Sequence, residues 1–234
     1  MKQTGSTPPQ QPPSSQTTRP LTAPTTATWS RGELLAVLLT ALGKFVCMDW
    51  LDWRLLYISI ACTAWLGYIG YRYRRNPAVL RQWGLTRVGF NQSFRRLFPL
   101  LLLCFTLFYA IGLYRGTNIL SWHILPVLLL YPLWGIIQQF LTIALVAKNL
   151  DATALPRAVV VLLTASLFGI IHYPHGLLIL GTFLMALVYT SLYLRGTNLL
   201  VLGIFHGWLG AFFFYTVLAR DSWLEVFRVL GAGS

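Results

Sequence analysis

Four polar side chains lie inside long apolar stretches of the sequence, where a polar group is costly and usually has a function. They are Gln138, Gln139, His172 and His206. A histidine ring titrates near neutral pH and can pass on a proton. A glutamine amide donates and accepts hydrogen bonds but takes up no proton. We predict that these four residues form one polar site within a membrane.

Helical spacing places further residues beside this site. Residues four positions apart share a face of an α-helix. Three such pairs are Gln138 with Thr142, Phe168 with His172, and His206 with Gly210. Gly203 and Gly207 form a Gly-x-x-x-Gly pair, which lets a second helix approach closely. We therefore expect the His206 helix to be pressed into the interior of a bundle.

The composition indicates the elements that carry these residues. Of 234 residues, 56% are hydrophobic and 10% are charged, whereas a soluble domain carries about a quarter charged residues. A membrane-spanning helix needs about 20 mostly apolar residues. We count seven apolar segments, at about 33–48, 55–73, 97–114, 124–147, 157–172, 176–194 and 198–218. The prediction is an all-α fold, a polytopic transmembrane bundle of about seven helices.

The N-terminal stretch has a different composition, rich in Pro, Thr, Ser and Gln. Such a stretch buries too little apolar surface to offset its ordering entropy. We predict a disordered tail over residues 1–30 and a transmembrane domain over residues 31–234.

Basic residues outnumber acidic ones, with 18 Lys and Arg against 6 Asp and Glu and a net charge of +12. Because they lie between apolar segments, they suit contact with membrane lipid and control of orientation rather than nucleic-acid binding. The arginine-rich loop after the second segment is placed in the cytoplasm by the positive-inside rule. We predict a multi-pass protein of the cell membrane with a cytoplasmic N-terminus, and we expect no cofactor and no bound metal ion.

The order of the polar motifs resembles that of the CAAX prenyl protease and bacteriocin-processing (CPBP, or Abi) intramembrane protease family. That family carries Glu-Glu-x-x-x-Arg on one helix, Phe-x-x-x-His on the next and His-x-x-x-Asn on a later one. The chain has Gln138-Gln139-Phe-Leu-Thr-Ile143, Phe168-Gly-Ile-Ile-His172 and His206-Gly-Trp-Leu-Gly210 at these places. The resemblance covers about residues 80–215.

The resemblance implies a helical bundle with a cavity inside the membrane. In that family a glutamate activates water for peptide hydrolysis, and histidine and asparagine stabilise the oxyanion. The substrates are prenylated or membrane-associated peptides. By position, Gln138 stands at the water-activating place with Gln139 beside it, and His172 and His206 handle the proton or polarise the substrate. These four are the family-equivalent catalytic positions.

The departures from the family pattern bear on activity. A general base must accept a proton, and an amide does not. The nearest acids along the chain are Asp151 and Asp221. At the helical rise per residue, Asp151 lies roughly 18 Å from Gln139 and Asp221 roughly 22 Å from His206. We therefore expect neither acid to replace the missing glutamate. We therefore favour a peptidase homologue with a degenerate first motif that binds a membrane peptide, lipid or partner.

Three other hypotheses stay open at this point. The first is an active but atypical intramembrane endopeptidase that uses His172 or His206 as its base. The second is a zinc site made by His172, His175 and His206. The third is a transporter, although the segments show no repeated halves and no intramembrane charge pair.

Overall fold

The computed structural model describes residues 30–231, and every regular element in this range is a helix. The helices are α1 (Arg31–Lys44), α2 (Arg54–Arg75), α3 (Ala78–Gln82), α4 (Phe90–Arg115), α5 (Ile124–Asp151), α6 (Arg157–Ile170), α7 (Gly176–Tyr193), α8 (Leu199–Thr216) and α9 (Ser222–Gly231). Helix α1 continues as a π-helical stretch over Phe45–Trp50. The all-α prediction is confirmed. The predicted tail lies outside the described residues, apart from Ser30.

Seven of these helices coincide with the seven predicted apolar segments, and the short helices α3 and α9 are additional. By length and composition, α4, α5, α7 and α8 can each cross a membrane, and α6 is a shorter apolar helix. Helix α2 has 22 residues but ends in three arginines, Arg72, Arg74 and Arg75. The described part of the chain is thus a helical bundle with four candidate membrane spans.

The second half of α5 lies at the centre of the bundle. After Gln139 the helix widens into a π-helical stretch, Phe140–Ala147, and all eight of its residues are buried. A helix that is apolar on all sides is buried on all sides. Departures from α-helical geometry of this kind are rare and often lie at functional sites. Here the departure begins directly after the two glutamines.

Glycines bring α5 and α8 into backbone contact. A Cβ on Gly203 would lie 2.5 Å from the Cα of Ile136, and a Cβ on Gly207 would lie 2.6 Å from the backbone nitrogen of Pro132. Gly135 of α5 faces the backbone of Gly203 and Gly207 in the same way. Only residues without a side chain allow helices to approach this closely. The contact expected from the Gly-x-x-x-Gly pair is present, and it fixes α8 against α5.

Polar contacts tie α1, α2 and α5 together near one end of the bundle. Arg72 Nη1 donates to Glu33 Oε1 at 2.6 Å, and Asn149 Nδ2 donates to Glu33 Oε2 at 2.9 Å. The Asn149 Oδ1 accepts from the backbone N–H of Ser30 at 2.7 Å. Because the groups satisfy one another, this cluster holds the three helices in register.

A second polar cluster holds the connection between α8 and α9. Asp221 accepts hydrogen bonds from His123 Nδ1 and the Tyr215 hydroxyl, both at 2.7 Å. Burial raises the pKa of Asp221, but hydrogen bonds, led by those from His123 and Tyr215, outweigh it and lower that pKa overall. Its Oδ1 also accepts from the backbone N–H groups of Trp223 and Leu224 and so caps α9.

The glycine contact gives the first prediction. Gly207→Ala places a methyl group against the backbone of α5, so the two helices must separate, at a cost of about 1–3 kcal/mol for overpacking. We expect a lower melting temperature in detergent, followed by intrinsic fluorescence. Gly67→Ala is the matched control, since a Cβ there meets no atom within 4 Å. Equal melting temperatures of the two variants would contradict the packing argument.

Candidate functional site

Two glutamines of α5 hold the ring of one histidine of α8. The Nε2 of His206 lies 2.9 Å from Oε1 of Gln138, and its Nδ1 lies 3.2 Å from Nε2 of Gln139. His206 is buried with 8% of its surface exposed, and Gln139 with 1%. Adjacent positions on α5 therefore contact opposite nitrogens of the same imidazole.

The hydrogen-bond partners of His206 determine which of its ring nitrogens carries the proton. An amide nitrogen only donates, so Nδ1 of His206 accepts from Gln139 and carries no proton. An amide oxygen only accepts, so Nε2 carries the proton and donates it to Gln138. His206 is consequently a neutral imidazole with both nitrogens engaged. The oxygen of Gln139 is buried without a hydrogen-bond partner among residues 30–231.

His172 stands beside this unit at the end of α6. Its Nδ1 donates to the backbone oxygen of Phe168 at 2.7 Å, one helical turn earlier. The Phe168 ring lies edge-on to both histidines, with centroids 4.9 Å from His172 and 5.5 Å from His206. Phe168 is fully buried and contacts both imidazoles. Since Nδ1 is protonated, the lone pair of His172 lies on Nε2.

A cavity of about 400 Å³ joins three of the four residues selected from the sequence. Gln138, His172 and His206 all line it, whereas Gln139 does not and reaches the site only through His206. Gly210 lines the same cavity, and a Cβ there would meet no atom within 4 Å. The family's asparagine position is thus open space in this chain.

Charged residues that the sequence analysis did not assign to the site line the same cavity. They include Lys44, Asp49, Arg54, Arg220 and Glu225. The acids are paired: Asp49 with Lys44 at 2.6 Å, and Glu225 with Arg220 at 2.6 and 2.7 Å through two oxygens. The sequence carried no signal for this placement, because these residues lie at helix ends far apart in the chain.

Two of these cations also form hydrogen bonds with the turn that follows His172. Lys44 Nζ donates to the backbone oxygen of Tyr173 at 3.0 Å, and Arg220 Nη1 donates to Nε2 of His175 at 2.7 Å. These bonds connect the turn after α6 with the ends of α1 and α8. The turn therefore forms part of the wall around the cavity.

The acids that the sequence analysis weighed as substitutes lie elsewhere. Asp221 is bonded to His123 as described above, and Asp151 pairs with Arg157 at 3.4 Å. Neither is among the residues that line the cavity. Within the described range, no three His, Cys, Asp or Glu side chains are grouped to hold a metal ion. The zinc hypothesis therefore has no ligand set there.

Comparison with known proteins adds one finding. Residues 120–212, less than half of the chain, match the family model described as "Type II CAAX prenyl endopeptidase Rce1-like". This segment contains the glutamine pair, His172 and His206. The searches against curated proteins and solved structures returned no match.

The match agrees with the motif order and with the apolar helices. The resemblance to the CPBP family is confirmed over residues 120–212. Together with the four apolar helices, this similarity to CAAX-type intramembrane proteases indicates a membrane protein.

Proposed function

We propose that the protein binds a prenylated or membrane-associated peptide in the cavity beside His206 and does not hydrolyse it by the family's glutamate mechanism. The observation that carries this proposal is the pair of amides on His206. At the places where the family has two carboxylates, this chain has two neutral groups that bond to both ring nitrogens.

This arrangement supports binding better than water activation. A general base needs an unoccupied lone pair within reach of water, and His206 offers none while Gln139 donates to its Nδ1. Asp49 and Glu225, the acids on the cavity wall, are each held in an ion pair with a cation. The carboxylates are thus engaged with cations rather than with the histidines.

The cavity has the features of a ligand site. Its volume of about 400 Å³ lies in the range of small-molecule and peptide pockets, which are mostly apolar with a few polar groups. Apolar side chains such as Val127, Leu130 and Leu133 form much of its wall. Gln138 and His172 supply polar atoms that a peptide backbone can use.

One observation favours a second candidate function, an atypical endopeptidase with His172 as its base. Its Nδ1 donates to Phe168, and its Nε2 has no hydrogen-bond partner among the described residues. Because His172 lines the cavity, this lone pair can accept a proton from a water molecule there. His172 is therefore the better base of the two histidines.

A single assay separates the two candidates. The full-length protein in nanodiscs is titrated with a fluorescent prenylated peptide, and the peptide is then examined by mass spectrometry. The binding proposal predicts saturable binding without cleavage and roughly tenfold weaker binding by Leu130→Trp. Leu129→Trp is the matched control, because Leu129 is next in the chain but does not line the cavity.

Two results would contradict the binding proposal. Cleavage by the wild type that His172→Ala abolishes would establish the second candidate and overturn the first. Equal affinities of the Leu130→Trp and Leu129→Trp variants would remove the cavity as the peptide site.

The amide pair yields a spectroscopic prediction. In ¹⁵N-histidine NMR we expect His206 with a protonated Nε2 and an unprotonated Nδ1. Gln139→Glu replaces the donor by a carboxyl group, which only accepts when it is ionised, so in that state Nδ1 gains a proton while Nε2 keeps its own. The variant should show both nitrogens protonated, whereas Gln139→Met should leave the ring neutral. A wild-type spectrum with a protonated Nδ1 would refute the assigned hydrogen bonds.

We also propose that the protein lies in the cell membrane with its N-terminus in the cytoplasm. The support is the arginine-rich stretch from Arg72, at the end of α2, to Arg96, near the start of α4, which the positive-inside rule assigns to the cytoplasm. The proposal counts all seven apolar helices as crossings, the four candidate spans together with α1, α2 and α6, and this odd number places the C-terminus outside. A reporter active only in the cytoplasm should therefore be silent at the C-terminus, and activity there would refute this orientation.

A further inference from the structure

A second chamber lies on the other side of His206. It has a volume of about 300 Å³ and is enclosed by α4, α7 and α8, with almost entirely apolar walls. Leu178, Thr182, His206 and Gly210 line both this chamber and the peptide cavity. The two spaces are therefore separated by one layer of side chains.

The chamber opens sideways between α4 and α7. Leu100 of α4 and Leu184 and Val188 of α7 line it, yet they are 39%, 53% and 43% exposed. Both helices are candidate membrane spans. Apolar side chains exposed on such helices face lipid, so the opening faces the hydrocarbon of the bilayer.

One hydroxyl group in the chamber has no hydrogen-bond partner among the described residues. Tyr189 is only 4% exposed and lines the chamber, and its hydroxyl donates to no acceptor among residues 30–231. A buried phenol normally finds an acceptor, as Tyr193 and Tyr215 do in this protein. The Tyr189 hydroxyl is therefore a hydrogen-bond donor that is free to bind an oxygen acceptor in the chamber.

Exposed arginines lie at the same end of these helices. Arg95 and Arg96 directly precede Leu97, a lining residue of α4, and Arg195 follows α7 six positions after Tyr189, roughly 9 Å further along. All three are exposed and form no ion pair within the described range. Basic residues beside spaces between membrane helices attract anionic lipid headgroups.

We propose that this chamber is a binding site for one acyl chain of an anionic glycerophospholipid. The chain enters between α4 and α7, the ester carbonyl oxygen accepts a hydrogen bond from Tyr189, and the phosphate lies near Arg96 and Arg195. The far end of the chain reaches the layer formed by His206 and Gly210. A bilayer lipid thereby touches the wall of the peptide cavity.

The chemistry of the chamber favours this ligand over two simpler ones. A hydrocarbon chain without oxygen leaves the Tyr189 hydroxyl unpaired, which is unfavourable for a buried donor. A free fatty acid seated on Tyr189 places a carboxylate in an apolar space without a cation, which is costly. An ester carbonyl is a neutral acceptor, and its phosphate stays outside with the arginines.

Native mass spectrometry of the delipidated full-length protein tests the site. The protein in neutral detergent is titrated with palmitoyl-oleoyl phosphatidylglycerol and, separately, with the phosphatidylcholine of the same chains. We expect one tight site for phosphatidylglycerol and weaker binding of phosphatidylcholine. Tyr189→Phe should weaken the tight site about fivefold through the lost hydrogen bond, and Arg96→Gln with Arg195→Gln should reduce the preference for the anionic lipid.

Matched controls separate the site from general lipid contact. Val188→Trp should obstruct the chamber and abolish tight binding. Val159→Trp should leave it intact, because Val159 is similarly exposed at 37% but does not line the chamber. Equal binding by these two variants, an unchanged affinity of Tyr189→Phe, or equal affinities for the two lipids would each overturn the proposal. The assay contains no peptide, so its result is independent of the peptide-binding proposal.

Discussion

The close approach of α5 and α8 is the constraint on which the site depends. Gly135, Gly203 and Gly207 let the two backbones touch, so two glutamine side chains of α5 can reach a histidine of α8. A side chain at any of these positions would separate the helices and lengthen both hydrogen bonds to His206. In a membrane, where lipid is as apolar as the helix surfaces, such close packing is a principal source of helix association.

The neutral character of the site follows from where it lies. A buried charge in an apolar interior is costly unless it is paired. The deep part of the cavity is lined by one amide, Gln138, and two imidazoles, His172 and His206, and the buried amide of Gln139 bonds to His206 from behind. The charges lie instead on residues at helix ends, where Lys44, Asp49, Arg220 and Glu225 form ion pairs. A glutamine has almost the same shape as a glutamate, but its amide is neutral and accepts no proton.

His206 and Gly210 occupy a position between two spaces of different character. On one side is a cavity with charged groups on its wall, and on the other is an apolar chamber open to lipid. Because Gly210 has no side chain, the layer between them is thin. A ligand in either space therefore contacts groups that also border the other, which gives a physical route by which the occupant of the chamber can affect what the cavity beside His206 binds.

The sequence by itself determined the seven apolar segments, because helices that lie within a membrane need long runs of apolar residues. It also determined the glycine contact of α8 and the shared face of Phe168 and His172, since both follow from helical periodicity. Only the tertiary structure decided that Gln138 and Gln139 bond to opposite nitrogens of His206, and that Asp49 and Glu225 lie on the cavity wall. Those facts depend on how each helix is rotated and where it crosses its neighbours, and many weak contacts distributed over the whole bundle fix these quantities, not any local pattern.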